Sequence, residues 1–353
     1  MELKRRINAF VRLGEMLRQG GKGENFSGLP REWQTLTESL HDSIRLASEN
    51  NPWFDEAHIQ EALSAIAGML KEEALVEWAS GYRLDSDRPG KRVALIMAGN
   101  IPAVGFHDFL CVLVAGHSLI IKPSHEDRFL IPWMADFLKR VEPDFRDRIF
   151  ISEGPLRGFD AVIATGSDNS ARYFETYFGK YPSIIRRNMN SIAFLDGTES
   201  ENELLCLSKD IMLYYGRGCR SVSCLLLPTQ YKFEPLEKAL EKYRHMEYHH
   251  RYYNNYEYQK AIHWVGRIPF RDNGFLLMTE NEQLQSPLGV LHYTYYNHPE
   301  DVDRFLEKNE SRIQCLLSVP GKRKGAVPLG SAHSPGLDDY ADRVDTMRFL
   351  TEL

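Results

Sequence analysis

Cys219 is the residue of this 353-residue chain whose surroundings most favour chemistry. It lies in the glycine-rich stretch 214–221, directly after Gly218, with Arg217 and Arg220 on either side. A nearby positive charge lowers the pKa of a thiol, and the thiolate is the nucleophile of covalent acyl chemistry. The same features also fit an ordinary buried cysteine, because free cysteines are among the most buried residues. The stretch alone leaves both interpretations open.

Further polar groups follow apolar runs that the sequence predicts to be strands. Asn100 carries amide N–H groups that could stabilise an oxyanion, and Lys122 could bind a ribose or a phosphate. Thr165, Gly166 and Ser167 lead into a predicted helix, where backbone N–H groups can hold a phosphate. Each has an ordinary alternative, namely a turn asparagine, a solvated lysine and a capped helix. Their shared position is informative, because ligands of parallel sheets bind at the carboxyl ends of strands.

The elements that would position these groups alternate along the chain. Short apolar runs predict strands at 93–97, 118–121, 161–164 and 191–195. Predicted helices at 103–115 and 129–140 separate the first three strands, and three amphipathic helices precede them. A strand, a helix and a second parallel strand form a β-α-β unit, which predicts an α/β fold with a covered parallel sheet. Neither GxGxxG nor GxxxxGK[ST] occurs, so the usual dinucleotide fingerprint and the P-loop are absent.

The second half of the chain predicts a separate α/β lobe. A helix over 199–215 leads into the Cys219 stretch, and an apolar strand over 222–227 follows it. Further strands are expected at 262–268, 275–279, 289–295 and 313–319.

Composition excludes several classes of protein. A net charge of −6 provides no basic field for binding nucleic acid. The five cysteines are widely spaced and form no CxxC pair, which indicates a reducing compartment without a disulfide framework or a metal site. The N-terminus lacks the apolar segment of a signal peptide, and no apolar run approaches membrane-spanning length. These features predict a cytoplasmic protein.

A series of short segments, taken in order, resembles the aldehyde dehydrogenase superfamily. The segments are 98–102, 120–124, 164–167, 218–219, 286–290 and 328–330. Within that superfamily, Gly-Phe-His-Asp at 105–108 and Gly-Arg-Gly-Cys-Arg at 216–220 resemble the LuxC-type acyl-CoA reductases, which include the long-chain fatty acyl-CoA reductase of bacterial bioluminescence. The resemblance implies an aldehyde dehydrogenase-like fold, with a Rossmann-like cofactor lobe and an α/β catalytic lobe.

The resemblance also implies a role for each matching residue. Cys219 matches the nucleophile, and Asn100 matches the side-chain oxyanion donor that acts with the backbone N–H of Cys219. The positions beside the adenosine ribose and the pyrophosphate are matched by Lys122, Ser124, Thr165, Gly166 and Ser167. Residues 1–198 would form the cofactor-binding lobe with the N-terminal helices, 199–325 the catalytic lobe, and 326–353 a tail that closes the site.

The chain departs from aldehyde-oxidising members of the superfamily at three places. No Asp or Glu occurs in 181–195, where those members carry a glutamate that activates water on the acyl-enzyme. His125 replaces a glutamate that NAD-preferring members often have, and with Lys122 and Arg128 nearby this favours NADPH. Ser286 stands where many members hold the nicotinamide ribose with a glutamate, which leaves the positioning of the nicotinamide open.

These features predict NADPH-dependent reduction of an acyl-CoA, or another acyl thioester, to an aldehyde through an acyl-Cys219 intermediate. The alternatives are a non-redox acyl carrier or transfer protein, a scaffold for an acyl-activating partner, and an acyl-phosphate reductase of the same superfamily. An acyl-protein synthetase and a second copy of the chain are left open as protein partners. His333 is left open between a proton donor, a contact to a CoA phosphate and a loop histidine without a role.

Overall fold

The computed structural model of the protein describes residues 1–20, 31–84 and 90–353. The helices, in chain order, are α1 (Leu3–Gly20), α2 (Arg31–Asn50), α3 (Glu56–Met69), α4 (Glu72–Ser80), α5 (Phe106–Val114), α6 (Leu130–Val141), α7 (Asp168–Phe178), α8 (Glu201–Met212), α9 (Glu234–Leu240), α10 (His250–Gly266), α11 (Pro299–Asn309) and α12 (Thr346–Thr351). Within the described ranges, no helix is both long enough and apolar enough to cross a membrane.

The strands build two sheets. In chain order they are β1 (Arg92–Ile96), β2 (Ser118–Lys122), β3 (Ile149–Ile151), β4 (Ala161–Thr165), β5 (Ser183–Arg186), β6 (Asn190–Phe194), β7 (Val222–Pro228), β8 (Arg271–Asp272), β9 (Leu277–Glu280), β10 (Val290–Tyr296), β11 (Ile313–Ser318) and β12 (Val327–Pro328).

The chain divides into two compact units. The first comprises Met1–Arg187 and Pro335–Leu353, and the second comprises Asn188–Ser334. The boundary expected near residue 198 falls inside the second unit, because β6 pairs with β7 and β11. The predicted tail, 326–353, is divided between the two units.

The first unit contains a five-stranded sheet in the order β3-β2-β1-β4-β5, with every neighbouring pair parallel. Its central strands are buried apolar runs, as expected when helices cover both faces of a parallel sheet. The chain proceeds from β1 outward to β3 and then returns to place β4 on the other side of β1. Sheet order therefore reverses between β1 and β4, which is where parallel sheets open a ligand crevice.

The second unit contains a seven-stranded sheet in the order β12-β11-β6-β7-β10-β9-β8, in which β8 and β9 are antiparallel. The strand expected at 262–268 is wrong, because most of that stretch forms the last turns of α10. Tyr252, Tyr256 and His263 recur on one face of this helix and are buried. Tertiary packing of that face overrides the local preference of Ile262 and Val265 for a strand.

Candidate active site

The Cys219 turn begins with a left-handed stretch of backbone. α8 ends at Met212, and φ is then 56° at Tyr214, 58° at Tyr215 and 71° at Gly216. The left-handed conformation costs a non-glycine residue roughly 1–2 kcal/mol. The helix predicted to reach residue 215 therefore stops earlier, and a strained segment leads to the cysteine. Such strain persists only where the surrounding structure fixes the backbone.

Aromatic contacts fix the two strained tyrosines. Tyr214 meets His333 edge-on, with ring centroids 5.3 Å apart. Tyr215 packs on His249 at 4.4 Å and on Tyr252 of α10 at 5.8 Å. Both tyrosine side chains are buried, so these contacts fix the backbone that leads to Cys219.

Hydrogen bonds then hold the backbone around the thiol. The Ser191 hydroxyl of β6 donates to the Cys219 carbonyl at 3.0 Å and lies 2.9 Å from the sulfur of Cys315. The Gly218 N–H donates to the Ser221 hydroxyl at 3.2 Å. Cys219 is therefore attached both to its own turn and to the neighbouring strand.

A buried carboxyl group holds the loop that follows β12. Asp210 of α8 accepts hydrogen bonds from the backbone N–H groups of Gly330 at 2.5 Å and Ala332 at 3.1 Å. Burial raises the pKa of Asp210 to about 6. Arg220 donates to the Ala332 carbonyl at 2.5 Å, so the same loop is also bound to the residue after Cys219.

His333 ends this loop and packs on the residue before the thiol. Its ring is buried, and Nε2 lies 3.3 Å from the backbone carbonyl oxygen of Asp210. A Cβ on Gly218 would lie 3.6 Å from Cε1 of His333. When Nε2–H donates to that carbonyl, the neutral ring carries its lone pair on Nδ1. The structure thus places an imidazole, which can accept or supply a proton, beside Gly218, the residue before Cys219.

The cysteines differ in exposure. Cys219 and Cys206 are half-buried, whereas Cys111, Cys224 and Cys315 are buried. Burial raises the pKa of Cys224 to about 12 and raises that of Cys111 well above its ordinary value. Neither of these two thiols forms a nucleophilic thiolate near neutral pH.

In the first unit, the turns that follow β1 and β2 pack against each other. Asn100 is half-buried in the first turn, and a Cβ on the preceding Gly99 would lie 2.5 Å from the hydroxyl oxygen of Ser124. Ala103 has φ 53° and donates its N–H to the Asp127 carboxylate at 2.6 Å. Burial raises the pKa of Asp127 to about 6. The structure therefore joins two of the predicted strand ends through contacts that require glycine at position 99.

The cations behind the NADPH prediction have neutral partners. Lys122 donates to the Gly154 carbonyl at 2.9 Å, and Arg128 donates to the Asn50 side-chain oxygen at 2.8 Å. His125 is exposed between them. Among the described residues, neither cation forms an ion pair.

The third predicted strand end joins β4 to α7. The Ser167 hydroxyl caps α7 by accepting from the Ser170 N–H at 3.3 Å, so it is committed to its own helix. A Cβ on Gly166 would lie 2.7 Å from Cβ of Ser170, which requires glycine there. Thr165 is the last residue of β4. Backbone N–H groups at the start of α7 and the Lys122 amine are the donors that a dinucleotide phosphate needs, so the edge fits such a cofactor.

The Gly-Phe-His-Asp segment anchors the C-terminal residues of the first unit. His107 Nε2 lies 2.9 Å from the Leu337 carbonyl oxygen. Asp108 forms a buried two-point ion pair with Arg186 at 3.1 and 2.6 Å, and Arg186 also donates to the Ala341 carbonyl at 2.5 Å. These residues serve the packing of this unit.

Sequence reasoning missed Ser191 and Asp210. Asp210 had a recognisable signal, because it lies beside Ile211 on the apolar face of α8 that also contains Leu207. A charged residue is rarely buried without a partner. Ser191 gave no such signal, since a serine at the start of a strand is ordinary.

Of the two predicted oxyanion donors, Asn100 lies in the first unit and Cys219 in the second.

Solved aldehyde dehydrogenases share this fold. Aldehyde dehydrogenase 21 from Physcomitrella patens, in complex with succinate, matches with a TM-score of 0.66 and 10% identity over 100% of this chain and 84% of its own. Glyceraldehyde-3-phosphate dehydrogenase GapN from Methanocaldococcus jannaschii, complexed with NADP, matches at 0.64 and 11% over 94% and 82%. The indole-3-acetaldehyde dehydrogenase AldA of P. syringae, in complex with NAD+, matches at 0.63 and 13% over 92% and 74%.

No protein-family model and no curated protein matches the chain. At the identities above, the structural similarity establishes the fold. The prediction of an aldehyde dehydrogenase-like α/β fold is confirmed.

Proposed function

We propose that the chain reduces an acyl thioester, such as an acyl-CoA, to an aldehyde with NADPH, as LuxC-type acyl-CoA reductases do. The observation that carries the proposal is the strained turn that holds half-buried Cys219, with His333 packed beside the preceding Gly218. The aldehyde dehydrogenase-like fold supports an oxidoreductase acting at the aldehyde level. The absence of any acidic residue from 181–195 favours the thioester over a free acid.

The first step is formation of the acyl-enzyme. His333 takes the proton of the Cys219 thiol, and the thiolate attacks the thioester carbonyl carbon. The negative charge on the carbonyl oxygen is stabilised by the Asn100 amide and the Cys219 N–H. The carbon–sulfur bond to the carrier then breaks, and the departing thiol takes the proton back from His333. Atoms and charge balance without water.

The second half of the reaction needs a reductant. Lys122, Ser124, Thr165, Gly166 and Ser167 would hold the nicotinamide dinucleotide at the carboxyl ends of the first sheet. When bound, NADPH supplies the hydride that converts the acyl group into an aldehyde. Some solved proteins with this fold are complexed with NAD+ or NADP. Preference for NADPH follows from Lys122 and Arg128, which form no ion pair among the described residues, and from His125 in place of a carboxylate.

Hydrolysis of the acyl-enzyme would require a base for water. The segment that would supply it forms β5 and β6 and contains no carboxylate. The lack of this carboxylate favours loss of the acyl group from Cys219 by reduction or by transfer to a thiol. In this account the first unit binds the cofactor, the second performs the covalent chemistry, and the C-terminal residues close the site.

Two other functions share parts of this arrangement. An acyl carrier or scaffold would use Cys219 without the nucleotide edge, and an acyl-phosphate reductase would use both with a different leaving group. The test is to mix the purified protein with NADPH and a panel of acyl-CoAs and to follow the loss of NADPH absorbance. Oxidation that depends on the acyl-CoA supports the proposal. A normally folded protein that oxidises no NADPH with any acyl-CoA contradicts it and favours the carrier.

A further inference from the structure

The second unit contains a cavity of about 570 Å³ to which no step above is assigned, although its lining includes Ser286 and Pro287 of the segment that resembles the one near the nicotinamide ribose. It is lined by the end of α10, by β9 and β10, by the segment that joins these strands, and by Arg312 before β11. Its volume lies within the range of roughly 300–1,000 Å³ that is typical of small-molecule sites. Most of the lining residues have polar side chains, and none of them carries a carboxylate.

Two buried histidines share this cavity. His263 is 6% exposed and its Nδ1 lies 2.8 Å from the Gln259 carbonyl oxygen, while His292 is 4% exposed and its Nδ1 lies 2.8 Å from that of Gln283. In the neutral ring, Nδ1–H donates to the carbonyl and Nε2 is left as an acceptor. Burial, reinforced by the neighbouring His263, lowers the pKa of His292. Among the described residues, neither Nε2 has a hydrogen-bond donor.

Arg312 supplies the opposite property. Its side chain is exposed, lines the cavity and forms no ion pair within the described ranges. Side-chain amides of the β9–β10 segment add further donors, because the Asn281 oxygen already accepts from the Gln283 N–H and its amino group remains for a ligand. The cavity thus offers a guanidinium and amide donors for an anion, together with two imidazole acceptors for hydroxyl or amide hydrogens.

Two residues that line the cavity lie at the same end of the sheet as the Cys219 turn. Arg312 directly precedes Ile313, which pairs with Asn190, the neighbour of the Ser191 that holds the Cys219 carbonyl. Lining residue Pro287 accepts from the first residue of β10, and β10 lies beside β7. Neighbouring strands are about 4.8 Å apart. The strands that follow Arg312 and Pro287, β11 and β10, therefore lie one strand spacing from β6 and β7, the strands next to the Cys219 turn.

We infer that this cavity binds a phosphate ester that also carries hydroxyl or amide donors. Within the proposed function, on which this identification rests, that chemistry is the phosphopantetheine arm of the thioester carrier. The phosphate lies against Arg312, and the hydroxyl and amide hydrogens of the arm reach Nε2 of His263 and His292.

The test measures binding by calorimetry, without NADPH and without turnover, so that its result does not depend on reductase activity. The probes are 4′-phosphopantetheine, pantetheine and inorganic phosphate. Arg312→Gln should weaken 4′-phosphopantetheine binding by about tenfold or more and leave pantetheine unchanged, since only the charged contact is lost. His292→Gln should weaken both, because it removes an acceptor for the arm. Lys238→Gln, which removes an exposed cation of the same unit, is the matched control and should change neither.

Several outcomes would overturn the inference. One is 4′-phosphopantetheine binding that Arg312→Gln leaves unaltered. Another is inorganic phosphate binding as tightly as 4′-phosphopantetheine, which would reduce the cavity to a simple anion site. A third is displacement of the probe by NADP+ in the unmodified protein and in Arg312→Gln alike, which would place the arm at the nucleotide edge. Thermal unfolding of each variant shows whether it is folded before its binding is interpreted.

Discussion

In each unit, one buried carboxyl group accepts hydrogen bonds from the backbone of a turn. The two units differ in how far apart the joined residues are in the sequence. Asp127 accepts from Ala103, 24 residues away and within one β-α-β unit. Asp210 accepts from Gly330 and Ala332, which are 120 and 122 residues away. Burial raises the pKa of each aspartate to about 6. The contact in the first turn joins residues that are close in the sequence. The contacts in the second join residues that are far apart in the sequence and meet only through the tertiary fold.

The two turns also lie at opposite ends of their strands. In the first unit, the candidate binding groups follow β1, β2 and β4. In the second unit, Cys219 precedes β7, and the cavity residues Pro287 and Arg312 precede β10 and β11. The rule that ligands gather at carboxyl ends applies to the first unit and says nothing about the second. Recognition of the nucleotide is therefore assigned to the carboxyl ends of the strands in the first sheet, and covalent chemistry to the amino ends of the strands in the second sheet.

The largest expected effect is on Cys219. Cys219→Ser should abolish reduction of every acyl-CoA while the protein stays folded, because a hydroxyl is a far weaker nucleophile than a thiolate. Steady-state NADPH oxidation measures the loss, and circular dichroism checks the fold. Cys206→Ser is the matched control, since Cys206 has a similar exposure and lies outside the turn. Substantial reductase activity in folded Cys219→Ser would remove the covalent step.

The next prediction concerns the effect of His333 on the reactivity of the Cys219 thiol. His333→Asn should lower kcat by about 10²–10⁴, the usual contribution of a general acid–base group. It should also slow the alkylation of Cys219 by iodoacetamide at neutral pH and change the pH dependence of that reaction. His245→Asn alters an exposed histidine of the same unit and should do neither. An unchanged alkylation profile in His333→Asn would show that the histidine only packs against Tyr214.

Asn100→Ala should affect turnover without affecting the thiol. Loss of one oxyanion donor lowers kcat by about 10²–10³, because the contact strengthens as charge develops on the oxygen. Cofactor affinity and the alkylation rate of Cys219 should stay as they are. Asn254→Ala replaces an exposed asparagine and serves as the control. If Asn100→Ala turns over at the original rate, Asn100 is a turn residue and the two units do not share an oxyanion site.

The smallest effect concerns the nucleotide edge alone. The unmodified protein should prefer NADPH over NADH by about tenfold in kcat/KM, equivalent to about 1.4 kcal/mol. His125→Glu should erase or reverse this preference by repelling the 2′-phosphate, with little change for NADH. His125→Gln keeps a polar side chain without the charge and should retain the preference. Equal use of both cofactors by the unmodified protein would mean that the ribose is held elsewhere.

The sequence predicted the first unit better than the second. Asn100, Lys122 and Gly166 follow apolar runs whose order fixes a parallel sheet, so their strand-end positions could be read from local patterns. The short strands β3 and β5 were missed because three or four residues give little periodicity. Tyr214 and Tyr215 gave no sign of their left-handed backbone, since non-glycine residues seldom adopt it.

The contacts of the second turn could not be predicted because they depend on tertiary structure. His333 was visible as a loop histidine, but its position against Gly218 requires the loop that Asp210 holds. The cavity histidines lie on α10 and β10, and α10 itself was partly taken for a strand. Chemistry assembled from distant segments leaves little local pattern in a single sequence.

The most direct test of the covalent account is to observe the acyl group on the protein. The protein is incubated with a short acyl-CoA in the absence of NADPH, digested and mapped by mass spectrometry. The account predicts a mass increase equal to the acyl group on the peptide that contains Cys219, its absence in Cys219→Ser, and its release as aldehyde when NADPH is added. Acylation of another residue, or reduction of acyl-CoA by the folded Cys219→Ser protein, would contradict the central claim.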